Sequence, residues 1–573
     1  MASKDNKNGS QVMLDTLQRL NVDVCWGLPG GAILPFYDEL YKSSLKHILV
    51  RHEQAAVHAA EGYAKVCGKT GVCIATSGPG ATNLLTGLAD AKMDSVPVLA
   101  ITGQVATSAI GTDAFQEVDT FGMSIPITKY NSLLKNANDV ARVTEEAMVI
   151  SQAKRPGAVL IDFPKDIQVQ ETNIFKAKEL QVDRHHLEPV PLSGELDKFI
   201  DFLNRAQKPL LYVGGGAIIS GASSAILKLA EKAQIPVVTT LMGLGSFPGT
   251  HNLSLGMLGM HGTAYANKAV IETDMIIALG ARFDDRVAGD PNLFAAHAIK
   301  AQIDIDASEI GKRVGIDVYV QGDLVEALEA IIPKVKKISQ RPWVKRIELL
   351  KKENPLRFNE YKSFIKPQKV IHRMWEKTAG KAIIVTDVGQ HQMWAAQYYL
   401  YDKPRKFVTS GGLGTMGFGY PAALGAKEAA PNEEVILVTG DGSFQMCLQE
   451  LATAKMYNIK VKILLFNNGF LGMVRQWQEL FYDNRFAEST MEYNPNFVKL
   501  ANAYDIEGKR IESNDEIEAG LDFLLNTDDS CILEVAIPQS EKVYPMISTG
   551  DSYEQMIDFD PNKEAGEATS LFQ

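Results

Sequence analysis

Cysteine is scarce in this chain: five residues among 573 (Cys25, Cys67, Cys73, Cys447 and Cys531), none in a Cys-x-x-Cys pair. That excludes a disulfide scaffold and a cysteine zinc site, and leaves core thiols of a reducing compartment. Long apolar runs are missing too. None approaches the ~18 residues a membrane-spanning helix needs, so no membrane partner is expected. Basic residues form no block or tail, and 58 Lys and Arg against 69 Asp and Glu give a net charge of −11. Nucleic acid is therefore not the expected partner, whereas small anions, which need only a local Arg or Lys, stay compatible. The first ten residues hold neither the apolar stretch of a signal peptide nor an Arg-rich amphipathic helix, so a cytoplasmic location is expected. No low-complexity segment or short-period repeat occurs.

What is present is a length that predicts roughly three or four domains of ~150 residues each, and short apolar runs alternating with helical patterns. Alternation of that kind predicts α/β domains built on parallel sheets. We read an N-terminal domain over 1–167, a polar linker over 168–192 and a central domain over 193–340. A connector follows over 341–366, then a C-terminal domain over 367–549 and a polar tail over 550–573. Strands are expected at 71–75, 97–101 and 158–162, within 209–216, 275–280 and 301–306, each ending in a turn, and at 435–438 and 461–466.

The last pair of strands ends in Gly440-Asp441-Gly442 and Asn467-Asn468, with a helix expected between them from Ser443 to Tyr457. Both turns then leave the carboxyl ends of parallel strands, where an Asp and an Asn oxygen can hold Mg²⁺ against a diphosphate. The same residues also make ordinary turns. Upstream, Arg51-His52-Glu53-Gln54 heads an Ala-rich helix, where the simplest role for Glu53 is to cap the first turn. Thr76 to Asn83 is a Gly/Pro turn that either meets an anion or only reverses the chain. Ser410 to Gly419 is glycine-rich with one bulky residue, Met416, whose plain reading is a gap-filling core side chain.

Together these elements resemble the thiamine diphosphate-dependent enzymes, and the likeness covers nearly the whole chain. The segments Gly103 to Glu117, Met257 to Gly262, Gly280 to Val287 and Gly472 to Gln478 are most similar to the large catalytic subunit of acetohydroxyacid (acetolactate) synthases. The resemblance implies three doubly wound parallel-sheet domains, and decarboxylation of pyruvate with transfer of the remaining two-carbon unit. The acceptor would be a second pyruvate or 2-ketobutyrate, on the route to branched-chain amino acids. It implies thiamine diphosphate held by Gly414, Met416, Gly440, Asp441, Gly442, Ser443 and Asn468, with Mg²⁺ on Asp441, Asn468 and the Phe470 carbonyl.

By the same resemblance, Glu53 shares a proton with the cofactor's pyrimidine. Arg286 grips the acceptor carboxylate, where the plain reading is an ion pair with Asp284 or Asp285. Trp477 lines the acceptor pocket, where the plain reading is a packed aromatic. Phe115, Gln116 and Lys165 lie near the site. FAD would sit on Gly214, Gly215, Gly216, Met260, His261, Gly262, Arg282, Asp304 and Asp323, largely as a structural group. The Arg-Phe-Asp-Asp-Arg run at 282–286 favours the biosynthetic over the catabolic enzymes. A flavin-containing pyruvate oxidase or decarboxylase is the alternative. The family further implies a homodimer or homotetramer with active sites between subunits, and a small regulatory subunit. The sequence departs from the family pattern at Ala106, at Gly469-Phe470 and at Ser548 to Tyr553.

Overall fold

A computed structural model describes residues 7–172, 188–360, 364–559 and 567–570. Most of the linker expected at 168–192, and part of the tail expected at 550–573, lie outside the described residues.

The chain builds three parallel-sheet layers in succession. The first sheet holds β1 (Val24–Gly27), β2 (Lys46–Leu49), β3 (Gly71–Ala75), β4 (Val98–Gln104), β5 (Tyr130–Leu133) and β6 (Ala158–Pro164), in the order β2-β1-β3-β4-β6-β5. All its pairings are parallel. Strands β3, β4 and β6 are buried along their whole length, which is why they read as continuous apolar runs.

The central sheet contains β7 (Ser193–Gly194), β8 (Pro209–Val213), β9 (Val237–Thr239), β10 (Ser254–Met257), β11 (Met275–Leu279), β12 (Ile299–Asp304) and β13 (Val318–Gln321). Its order is β10-β9-β8-β11-β12-β13-β7. It is parallel except at the edge, where the two-residue β7 runs antiparallel to β13. The connector carries a helix (Pro342–Glu353) and β14 (Arg357–Glu360).

The third sheet is made from β15 (Ile383–Thr386), β16 (Phe407–Val408), β17 (Val435–Gly440), β18 (Lys462–Asn467), β19 (Glu507–Ile511) and β20 (Cys531–Ala536). Its order, β16-β15-β17-β18-β20-β19, repeats that of the first sheet strand for strand. Near the carboxyl end, β21 (Glu567–Ser570) pairs antiparallel with β14. The preceding stretch lies on the central domain: the Tyr553 hydroxyl donates to the Val287 carbonyl (2.6 Å).

The first and third domains meet along two helices, Glu53–Cys67 and Gly419–Ala429. A Cβ on Gly62 would stand 2.0 Å from the Ala422 carbonyl, and one on Gly425 would stand 1.8 Å from the Ala59 carbonyl. Glycine at both positions lets the two backbones touch, so one apolar core runs through both domains. The expected single helix from Ser443 to Tyr457 is instead broken. A turn of helix (Asp441–Phe444) is followed by a 3₁₀ turn (Leu448–Glu450) and a short helix (Leu451–Tyr457).

Candidate active site

Strand β17 delivers Gly440-Asp441-Gly442-Ser443, and β18 delivers Asn468, to one cleft at the carboxyl edge of the third sheet, while Asn467 turns its amide to Glu534. Met416 and Phe470 share its lining. Asp441 is 2 % exposed. Burial pushes its carboxyl up to about 6, against the pull of hydrogen bonds from Asn494 and nearby backbone amides. Asn494 Nδ2 donates to Asp441 Oδ2 (2.6 Å), and the Gly469 amide donates to the same oxygen (3.2 Å). Asn468 Oδ1 accepts from the Phe470 amide (3.1 Å), and its Nδ2 faces Gln390 Oε1 (3.4 Å). The Ser443 hydroxyl donates to the Val388 carbonyl (3.0 Å).

This donor set is one carboxylate and amide or carbonyl oxygens, the chemistry of a hard cation. The cradle is backbone-tight. A Cβ on Gly442 would lie 2.9 Å from Leu471, and one on Gly440 would lie 3.0 Å from the His391 ring. Met416 is half-buried, with its Cε 3.9 Å from where a Gly442 Cβ would be, so it borders the cleft and does not fill a core gap. Gly414, at φ +73°, leaves its backbone exposed beside it.

Glu53 stands apart from this cleft. It opens the helix Glu53–Cys67, yet the cap is made by His52, whose Nδ1 accepts from the Gln54 amide (3.1 Å). Glu53 is thereby released from the capping role and is only 8 % exposed. Asn83 Nδ2 donates to its Oε2 (2.9 Å). Gly80 leaves room before the other oxygen: a Cβ there would be 3.4 Å from Oε1. The Thr76–Asn83 turn therefore packs against a buried side chain, Glu53, through Asn83. Gln116 lies against the same turn, since a Cβ on Gly78 would sit 2.7 Å from its carbonyl oxygen. Phe115 and Lys165 are exposed on this side of the first domain.

Arg286 is exposed, with Nη1 donating to the Thr549 hydroxyl (2.8 Å) and Nε 3.9 Å from Asp285. Asp284 accepts from the Arg286 and Val287 amides and so caps the short helix Asp285–Ala288. The Arg286 carbonyl accepts from the Met260 amide (2.8 Å), which brings the 260–262 loop beside it. His261 is buried, which lowers its pKa to about 4, and its Nδ1 lies 3.2 Å from the Pro545 carbonyl. Trp477 lies half-buried on the helix Gly472–Phe481, with its ring 5.3 Å from that of Phe481.

In the central sheet, Gly214, Gly215 and Gly216 follow β8; Gly214 and Gly216 pack on Gly280 after β11, where a Cβ on Gly216 would lie 2.8 Å from the Gly280 Cα, and Gly215 faces Met242. Asp304 ends β12, and burial raises its pKa to about 6. Asp323, just beyond β13, caps the helix Leu324–Ile331 through Oδ1. The Arg282 carbonyl accepts from the Tyr212 hydroxyl (3.0 Å). These positions share the carboxyl edge of the sheet, at the reversal of strand order between β8 and β11, where open α/β sheets take ligands.

The sequence reading missed Asn83, Gln390, Asn494 and Asp387. Asn83 lay at the end of a turn already singled out. Asn494 sits in an irregular segment with no periodicity, so nothing marked it.

Three family models match the chain: the N-terminal binding domain of thiamine pyrophosphate enzymes over residues 7–123, their central domain over 196–331 and their C-terminal binding domain over 387–535. The chain is 47% identical over 567 residues to an acetolactate synthase large subunit of Cyanidium caldarium, covering 96% of this chain and 97% of that protein. It is 46% identical over 566 residues to one of Lactococcus lactis, covering 98% of each. It is 45% identical over 555 residues to the isozyme 2 large subunit of Escherichia coli, covering 96% and 99%. With all three domains matched in order and nearly every residue aligned, the chain belongs to the acetolactate synthase large subunits of the thiamine pyrophosphate enzyme family.

Proposed function

We propose that the chain joins two 2-keto acids: pyruvate loses CO₂, and its remaining two carbons are added to a second pyruvate or to 2-ketobutyrate. The products are 2-acetolactate and 2-aceto-2-hydroxybutyrate, precursors of valine, leucine and isoleucine. The observation that carries this is the cleft in which Asp441, Asn468, Phe470 and Met416 converge in a chain aligned end to end with acetolactate synthases. Thiamine diphosphate, when bound, supplies a nucleophilic carbon and takes up the electron pair released with CO₂.

The chain's own residues do the rest. Asp441, Asn468 and the Phe470 carbonyl would hold Mg²⁺ and with it the diphosphate, in the cleft that Gly440, Gly442 and Ser443 also line. Gly414 and Met416 would hold the pyrimidine end of the cofactor, Gly414 through its backbone and Met416 through its side chain. Glu53 holds a proton at the pyrimidine nitrogen through Oε1, the oxygen that Asn83 leaves open. That carboxylate is not among the cleft's lining residues in its own chain. We therefore infer that each active site pairs Glu53, Gln116 and Lys165 of one subunit with Met416 and Asp441 of another, in a dimer or tetramer.

Arg286, a planar fork matched to a carboxylate, binds the acceptor after releasing Thr549. Trp477 favours the larger acceptor through contact with one extra methyl. The glycines after β8, with Met260, His261, Gly262, Arg282, Asp304 and Asp323, offer FAD a site of mainly structural purpose. The relatives' designation as large subunits carries the expectation of a smaller regulatory chain. No described helix is long and apolar enough to cross a membrane, in keeping with a cytoplasmic enzyme.

Incubating the protein with pyruvate, Mg²⁺ and thiamine diphosphate should yield acetolactate. Acetaldehyde or peroxide with no acetolactate would instead identify a decarboxylase or oxidase. The FAD reading predicts a yellow protein, and full activity in a stripped, colourless preparation would remove it.

A further inference from the structure

The loop Ser410–Gly419 contains five glycines (Gly411, Gly412, Gly414, Gly417 and Gly419), with Gly414 at φ +73° and Gly417 at φ +89°. A segment of that composition has many conformations to lose on ordering, yet it must present one side chain, Met416, in one place. Its backbone is tied down on both sides of residue 416 by buried carboxylates from two different domains.

On the far side, Asp387 directly follows β15 and is 1 % exposed. Its Oδ1 accepts from the Gly417 amide (2.9 Å) and the Val388 amide (2.9 Å), and its Oδ2 accepts from the Gly419 amide (3.1 Å). On the near side, Asp94 comes from the N-terminal domain with a fully buried side chain. Its Oδ1 accepts from the Gly412 amide (2.7 Å), and its Oδ2 accepts from the Gly411 amide (3.0 Å) and from Lys65 Nζ (2.6 Å). Between them, Ser410 Oγ donates to Asp90 (2.7 Å) and accepts from the Thr415 amide (2.9 Å). Ionised acceptors make the stronger hydrogen bonds to amides.

We propose that Asp387 and Asp94 are positioning residues that act on the cofactor through Met416, fixing the loop from opposite ends so that residue 416 stands over the cleft. The proposal rests on the reading of Met416 as the cofactor's support. An Asn at either position turns one acceptor oxygen into an amino group facing a backbone N–H, and so loosens one end of the loop while keeping its shape.

The test is a pair of double-mutant cycles read as the dissociation constant of thiamine diphosphate with Mg²⁺, by quenching of tryptophan fluorescence in the full-length protein. D387N and D94N should each weaken binding about tenfold, and M416A should weaken it as well. The doubles D387N/M416A and D94N/M416A should bind within about twofold of M416A alone, because coupled residues are non-additive. Effects that multiply in both doubles, or single Asn variants that bind like wild type, would overturn the proposal. M416A with unchanged binding and unchanged turnover would instead remove the reading of Met416, a separate failure. If D387N loses cooperative unfolding, the D94N cycle decides alone, since that residue lies in the other domain.

Discussion

The first and third sheets have the same strand order, yet under the proposed function they supply opposite halves of the chemistry. The turn after β3 in one corresponds to the turn after β17 in the other. In the first domain that turn spends its polar groups on a carboxylate: Asn83 binds Glu53, and Gly80 leaves one oxygen open. In the third it carries the carboxylate itself, Asp441, within reach of Asn468 and beside tight glycine backbone. The segment after β2 supplies a helix headed by Glu53, whereas the segment after β16 supplies the Met416 loop. Fold therefore sets where such groups can stand, and the few residues at strand ends set what they do. Meanwhile the equivalent helices Glu53–Cys67 and Gly419–Ala429 pack together at Gly62 and Gly425.

The comparison breaks most sharply at its two carboxylates. Glu53→Gln keeps shape and the Asn83 contact but removes the proton-holding group. Turnover should fall by at least about a hundredfold with the melting temperature little changed. Undiminished turnover would end the assignment of Glu53. The symmetric helix contact offers the next test. Gly425→Ala and Gly62→Ala place a Cβ 1.8 Å and 2.0 Å from facing carbonyls, and each should cost about 1–3 kcal/mol in thermal unfolding. If one substitution is silent, the two helices do not share the contact equally.

Asp441 differs from Glu53 in needing to be ionised to hold a cation. Burial sets its pKa at about 6 in the metal-free protein, so Mg²⁺ affinity should be flat above about pH 7 and fall as pH drops through 6. Calorimetric titration at pH 5.5 and 7.5 reads this, and equal affinities would show that Asp441 is not a ligand. The smallest effect is expected at Trp477. Trp477→Leu should shift the product ratio from a pyruvate and 2-ketobutyrate mixture toward acetolactate by about tenfold, the worth of one methyl contact.

Much of the fold was legible because buried parallel strands are continuous apolar runs. The strand expected at 71–75 is the observed one, and the runs 209–216 and 275–280, expected to be strands ending in turns, hold strands that end at Val213 and Leu279. The short edge strands β2, β16 and β19 carried no such signal: Lys46 is exposed, and β16 has only two residues. The helix after Gly442 was expected in one piece because its apolar spacing is regular, but the chain turns there to bring Asp441 and Ser443 into the cleft. Asp441, Asn468 and Met416 were legible through motif, and the structure does gather them. Asp387 and Asp94 were not, because a carboxylate that binds backbone amides leaves no pattern in side-chain spacing, and Asn494 was not, because it sits in an irregular segment. Glu53 and Asp441 could be named from sequence. Their place on different subunits was implied by the resemblance, and in three dimensions Glu53 does not line the Asp441 cleft of its own chain.

That separation gives the central claim its most direct measurement. Glu53→Gln and Asp441→Ala each disable one half of the site, so each variant alone should be inactive. Co-expressed with different affinity tags and purified through both, the mixed oligomer should regain acetolactate formation. One of its sites then combines an intact Glu53 with an intact Asp441 from the other chain. A mixed oligomer that assembles and binds thiamine diphosphate yet stays inactive would contradict a site shared between subunits.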